Sequence, residues 1–159
     1  MLYLYTMKLI ITESQLKKLI KENDGTPEED PFDMNTYNKR MLGDNIINMF
    51  IGALEGGSNY WYYLKRVPSE VRQIMKQENL AFSEAIGRYI LDGGRVVFHD
   101  AEDHDEVLGY VDMSKITKAL EIIKNEYPDV YEAIVEEQGD AGTDDIFLQI
   151  AVMGEIVFG

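Results

Sequence analysis

Gly56-Gly57-Ser58-Asn59-Tyr60-Trp61-Tyr62-Tyr63 joins two glycines and two small polar residues to four consecutive aromatics. A helix spreads four successive side chains around its axis and a strand alternates them, so no single element buries all four rings on one face. Some of that π surface must meet a second layer, a ligand or a partner. As a ligand site the run works by stacking. Flat rings beside glycine-exposed N–H groups suit a nucleobase or another planar molecule, and each stacked base contributes about 1–3 kcal/mol. On this reading Tyr60, Trp61 and Tyr62 stack, Gly57, Ser58 and Asn59 hydrogen-bond, and Lys65 or Arg66 neutralises a small phosphate. The plainer alternative makes the rings core or half-buried residues whose hydroxyls or N–H reach a partner, with Gly56-Gly57 a helix C-cap. Gln149, an isolated amide on an apolar C-terminal segment, is a further candidate ligand contact, or else a satisfied core amide.

The second cluster is His99-Asp100-Ala101-Glu102-Asp103-His104-Asp105-Glu106, which holds both histidines of the chain and five carboxylates. Imidazole and carboxylate together suit a divalent cation, with His99, Asp100, Glu102, Asp103 and His104 as candidate ligands. The calcium-loop pattern fails, because Leu108 stands where a loop starting at Asp103 needs glycine. A solvated hairpin tip is the competing reading. Nothing singles out an acid–base pair among 29 acidic residues. The glycines form no phosphate loop ending in Gly-Lys-Ser/Thr, and no nucleophile elbow is present. The expectation is therefore a non-enzymatic protein without a cofactor.

Charge narrows the partners. The formal net charge is −14 over 159 residues, a surface that repels phosphate backbones and anionic lipid, so neither direct nucleic-acid nor membrane binding is expected. The acidity serves solubility or mimics nucleic acid toward a basic protein. With no cysteine, thiolate chemistry and disulfides are excluded, which suits a reducing cytoplasm. Met1–Tyr5 is apolar but lacks the basic leader and long hydrophobic run of a signal peptide.

The elements that must position these groups follow from spacing. Met7–Ile11 reads as a short strand, Thr12 and Gln15 as a capping box, and Leu16, Leu19 and Ile20 as a helix to about Glu22. Residues 1–22 form an appendage, and 23–32 an acidic flexible linker rich in breakers. The compact, mainly helical domain spans 33–159. Asp44 caps a helix ending at Gly56-Gly57, and Ser58 caps another that carries the aromatics to Val67. Ser69-Glu70 opens a helix after Pro68, and Ser83 begins one closed by Gly93-Gly94. Arg95–His99 and Val107–Val111 pair as an antiparallel hairpin. Asp112 caps a helix that stops near Pro128, another starts at Asp129, and Thr143 caps the last, with Asp144 and Asp145 in its first turn. The tail Ile156–Gly159 docks into the core. The fold class is α+β, mostly helical, with six or seven short helices and one small hairpin.

Glu55-Gly56-Gly57-Ser58-Asn59-Tyr60-Trp61, then Gly93-Gly94, then Gln149-x-Ala151-x-x-Gly154-Glu155-Ile156-Val157-Phe158-Gly159 together resemble a family of small bacteriophage proteins. The resemblance covers residues 44–159. Lys8–Leu16 is similar to leaders of marine or metagenomic phage proteins. The likeness implies a phage gene product in the cytoplasm of an infected bacterium and brings no activity or catalytic residue with it. The expected function is binding of a small planar ligand, a nucleotide-derived host immune signal sequestered without turnover. An acidic protein–protein inhibitor and a metal-dependent nucleotide hydrolase using His99–Glu106 are the alternatives. Symmetric pairing through apolar helices and the aromatic patch would give a homodimer.

Overall fold

The computed structural model describes the backbone of residues 34–159 and the side chains from residue 43 onward. The strand, capping box, helix and linker expected over 7–31 lie outside the described residues. Asn38–Gly159 forms one compact unit. Its elements run α1 (Met34–Gly52), a π-helical turn (Ala53–Gly57), β1 (Tyr62–Tyr63), α2 (Ser69–Glu78) and α3 (Phe82–Leu91). Then follow β2 (Val96–Asp100), β3 (Val107–Val111), α4 (Met113–Glu126), α5 (Pro128–Val135) and α6 (Ala141–Met153). The described chain is thus α+β and mostly helical, with six α-helices. No described helix is long and apolar enough to cross a membrane.

Several boundaries obey local chemistry. The Asp112 carboxylate accepts from Lys115 N–H at 3.1 Å and starts α4. Pro128, whose missing N–H costs nothing in a first turn, opens α5. The β2–β3 hairpin forms as expected, with a bulge between Phe98 and His99.

Three expectations need correcting. Asp44 lies inside α1 and caps nothing, because the helix already begins at Met34. Ser58 starts no helix. Residues 58–61 turn, and Tyr62 and Tyr63 pair antiparallel with Asp100 and His99, which adds a third strand to the sheet in the order β1-β2-β3. The cap of α6 is Asp140, not Thr143: its carboxylate accepts from the N–H groups of Gly142 and Thr143, both at 3.0 Å.

α6 is the central element. Phe147 through Val152 are six consecutive buried residues, the mark of a helix covered all round. It packs against α4, β3 and the π-helical turn. Phe50 of α1 meets Phe147 edge to face at 5.8 Å, and Ile46, Ile86, Ile90, Val96, Phe98, Ile116 and Ile123 complete the interior. The position of α6 at this centre lets its first turn reach both the aromatic segment and α1.

Candidate functional site

The aromatic run and the C-terminal motif are two halves of one network. Gly154 ends α6 with φ +88, a left-handed conformation open to glycine. Beyond it, the tail runs back along the helix. Gln149, 1% exposed, holds that return: its Oε1 accepts from Val157 N–H at 2.9 Å and Phe158 N–H at 2.8 Å. Its Nε2 donates to the Phe158 carbonyl and to Asp145 Oδ2, both at 2.8 Å. Asp145 also accepts from Trp61 Nε1 at 2.7 Å and from the Tyr60 hydroxyl at 3.0 Å. Desolvation and this carboxylate raise the Tyr60 pKa above its ordinary value.

Trp61 therefore offers no face to a guest. Phe158 stacks on it at 5.6 Å and 10°, Phe98 lies near-parallel at 6.5 Å, and Tyr62 meets its edge at 5.5 Å. The indole is 2% exposed. The stacking faces of Trp61 are covered by the protein's own rings and Gln149 has spent its amide on the tail, while Tyr60 is exposed with no ring stacked on it among the described residues. Tyr62 is half-buried with its hydroxyl on the Leu54 carbonyl at 3.2 Å, and burial pushes its pKa up to about 12. Gly57 lies against the start of α6, where a Cβ would come 2.6 Å from the Ala141 carbonyl oxygen. Ser58 is buried, whereas Asn59 and Tyr60 are exposed. The Lys65 ammonium pairs with Asp105, whose pKa it holds below the usual carboxylate range. Arg66 points to the surface.

At the hairpin tip the carboxylates serve the turn. Asp100 Oδ1 accepts from Glu102 N–H at 2.7 Å and Asp103 N–H at 2.9 Å, and Asp103 from Asp105 N–H at 3.0 Å. The His104 ring stacks on Tyr63 with centroids 3.7 Å apart, and its Nε2 lies 3.1 Å from the Ala101 carbonyl. Among the described residues, no three His, Asp or Glu side chains are grouped to hold a metal ion. Of the expected ligands Asp100, Asp103 and His104 make turn contacts, whereas His99 stands in β2 with Nδ1 buried and without a partner among the described residues.

A recess lies elsewhere on the surface. A cleft of about 260 Å³ lies between α1, the end of α5 and the start of α6. Asn45, Asn48 and Met49 line one wall, Ala133, Ile134, Glu137 and Gly139 another, and Thr143 and Asp144 the third. Met49 and Ile134 are buried behind a lining that is mostly polar. Asn45 is 6% exposed and anchored by Nδ2, which donates to the Ile134 carbonyl at 3.1 Å. Its Oδ1 is buried and has no partner among the described residues. An unpaired buried acceptor costs about 1–3 kcal/mol, and Ser58 Oγ and His99 Nδ1, both away from the cleft, are buried without a partner in the same way.

Asp144 is the second unusual group. Burial, with the Asp140 carboxylate near it, pushes its pKa up to about 6. Its carboxylate rests on Gly52 of α1, where any Cβ would collide with it. Asp140 goes the other way: hydrogen bonds from Thr143 and Gly142 hold its pKa low. Glu137, at the rim, sits in the left-handed region with φ 55. Asp140 is the cap of α6 and does not line the cleft, so Asp144 alone brings a shifted carboxyl to its wall.

The sequence held one sign of this cleft. Asn45, Asn48, Met49 and Gly52 follow i, i+3, i+4, i+7 spacing and share a face of α1. Of the two amides only Asn45 is buried, and a buried amide is out of place in a plain core; Asn48 is exposed. No family model matches the chain, and neither the curated proteins nor the solved structures contain a match.

Proposed function

We propose that this protein binds a small molecule, without turning it over, in the cleft between α1, α5 and α6. The lining of the cleft carries the reading: Asn45, fixed by its Nδ2 bond to the Ile134 carbonyl, stands with Asn48, Thr143 and Asp144 around one recess. Binding rather than reaction is favoured by the hydroxyl in the lining: Thr143 Oγ1 donates at 3.3 Å to Asp140, a carboxylate whose lowered pKa makes it a poor base for activating a nucleophile.

The ring cluster becomes the scaffold of the site. Asp145 holds the tail through Gln149 while Asp144, next in the chain, faces the cleft, so the clasp sets the rotation and depth of α6. In a phage gene product, which the motif resemblance implies, retention without turnover would sequester a host molecule. A ligand recognised by stacking on Trp61, as for the nucleotide-derived signal, is disfavoured by the covered indole faces. The acidic-inhibitor alternative draws on the net charge of −14; pull-down from host lysate at low and moderate salt tests it, because charge-driven capture fades with screening.

Native mass spectrometry of protein purified without denaturation tests the cleft. The wild-type chain and Tyr60→Phe should carry the same small-mass adduct, and Asn45→Leu should lack it. An equal adduct on Asn45→Leu, or none on any of the three, counts against the proposal.

A further inference from the structure

Independently of that cleft, we infer that a second recess, on α2 and the start of α3, binds a small amphipathic anion: an aliphatic chain ending in one carboxylate. The recess has a volume of about 360 Å³ and is lined by Val67, Arg72, Met75, Lys76 and Phe82. Three of these are apolar and two are cations, with no carboxylate in the lining among the described residues. Val67 and Met75 are half-buried against the core, whereas the Phe82 ring is 40% exposed. The turn between the two helices is fixed. Asn79 takes φ 55, and its N–H and that of Leu80 both donate to the Met75 carbonyl, which places Phe82, the first residue of α3, on the same recess as Met75.

The charge pattern selects the head group. Arg72 and Lys76 stand four apart on α2, a spacing at which like charges repel. A carboxylate three or four residues away would relieve each of them, but those positions hold Pro68, Ser69, Gln73, Met75, Asn79 and Leu80. Glu70 and Glu78 lie two residues off and face elsewhere. Among the described residues neither cation forms an ion pair, although Lys65, Arg88 and Arg95 each do. Lys76, in the last turn, also suits the negative end of the helix dipole; Arg72, a turn earlier, has no such role.

A carboxylate entering here answers both cations. The Arg72 guanidinium offers a fork of N–H donors that matches two carboxylate oxygens, and Lys76 adds a point charge. The chain behind the carboxylate lies over Val67, Met75 and Phe82 and takes their apolar surface out of water. A neutral guest leaves the two cations crowded, and a cationic guest adds a third positive charge. The net charge of −14 repels anions at long range, but within the ~8 Å screening length of physiological salt the cations of the lining dominate. A volume near the lower end of the ~300–1,000 Å³ range of small-molecule pockets suits a single short chain.

Octanoate, octan-1-ol and octylammonium share one chain and differ in the head. Titrated into the full chain at physiological salt and followed by ¹H–¹⁵N correlation spectra, octanoate should bind ~5–10-fold tighter than octanol, with octylammonium undetected. The backbone amides of Arg72, Met75, Lys76 and Phe82 should shift together. Arg72→Gln should weaken octanoate ~5-fold and leave octanol unchanged, and Lys76→Gln should act the same way by a smaller factor. Phe82→Ala should weaken both compounds. Arg88→Gln, which removes a cation of α3 already paired with Asp92, should change neither. All four side chains are exposed, so the variants keep the fold.

Octanol binding as tightly as octanoate, or octanoate binding that survives both Arg72→Gln and Lys76→Gln, would overturn the anionic class. No Phe82-dependent binding of any of the three at millimolar concentration would overturn the site itself. If the same amides shift when the protein alone is concentrated, the occupant is a second copy of this chain and the proposal falls. None of these outcomes bears on the cleft between α1, α5 and α6, whose test reads Asn45.

Discussion

Asp145→Ala separates the clasp from ordinary surface chemistry. Three donors converge on this carboxylate: Trp61 Nε1 at 2.7 Å, Gln149 Nε2 at 2.8 Å and the Tyr60 hydroxyl at 3.0 Å. They lose unequally when it is removed. Tyr60 is 53% exposed and rebonds to water, and Gln149 keeps the Phe158 carbonyl. Trp61 is 2% exposed and keeps nothing, so its N–H is left buried and unpaired. That orphan costs about 2 kcal/mol, and the weakened Gln149 contact adds about 1, for a loss near 3 kcal/mol. With a urea slope of about 2 kcal/mol/M, the midpoint should fall by about 1.5 M. Trp61 is the only tryptophan of the chain, so its fluorescence reads the transition at the site itself. Tyr60→Phe is the control and should cost less than about 0.5 kcal/mol, as exposed substitutions do. A loss below about 1 kcal/mol for Asp145→Ala, or equal losses for the two variants, would refute the claim that a buried indole bond anchors this region.

Three further predictions follow from the same contacts. Asp144 has a folded-state pKa of about 6 against an ordinary 3.8, so the native state holds the extra proton in that interval and stability declines as pH rises from about 4 to about 6. Full conversion would give about 3 kcal/mol; the carboxyl is half-exposed, so screening reduces this to about 1 kcal/mol. Asp144→Asn should remove the decline, matching wild type near pH 3.5 and exceeding it at pH 7 in urea melts; an unchanged pH slope contradicts the assignment. Gly52→Ala gains about 1 kcal/mol of helix propensity but drives a methyl into the Asp144 carboxylate, at about 2 kcal/mol. A net loss near 1 kcal/mol is expected, and the Asp144 carboxyl, followed by NMR titration, should move back toward 3.8 as it turns to water. Phe158→Ala should open one indole face, lower stability by about 2 kcal/mol for a half-buried ring, and raise acrylamide quenching of Trp61; unchanged quenching would contradict the stacked arrangement.

Much of the fold was legible because it rests on local chemistry. The alternation in 95–99 and 107–111, the Asp112 cap and the Pro128 start depend on neighbours in the chain, and the structure has each in place. The errors fall where distant residues decide. Tyr62 and Tyr63 are a strand because Asp100 and His99 pair with them, a fact with no trace in residues 58–67. Asp140 starts the helix three residues before Thr143 because its carboxylate accepts from the N–H groups of Gly142 and Thr143, which puts Thr143 inside the first turn. The stacking platform failed for the same reason: its guests, Phe98 and Phe158, come from β2 and from the tail. The cleft was half-visible in the Asn45 and Asn48 stripe, but Glu137 and Asp144 join it only through the packing of α5 and α6 on α1.

The cleft and the ring cluster can be told apart in one spectrum. A ¹H–¹⁵N correlation spectrum of the full chain, titrated with the small-molecule extract of the producing cells, reads both places at once. Binding in the cleft predicts that the Asn45 side-chain amide and the backbone amides of Glu137, Thr143 and Asp144 shift together, while the Trp61 indole N–H stays where it is. A moving indole signal with an unmoved Asn45 amide would contradict it.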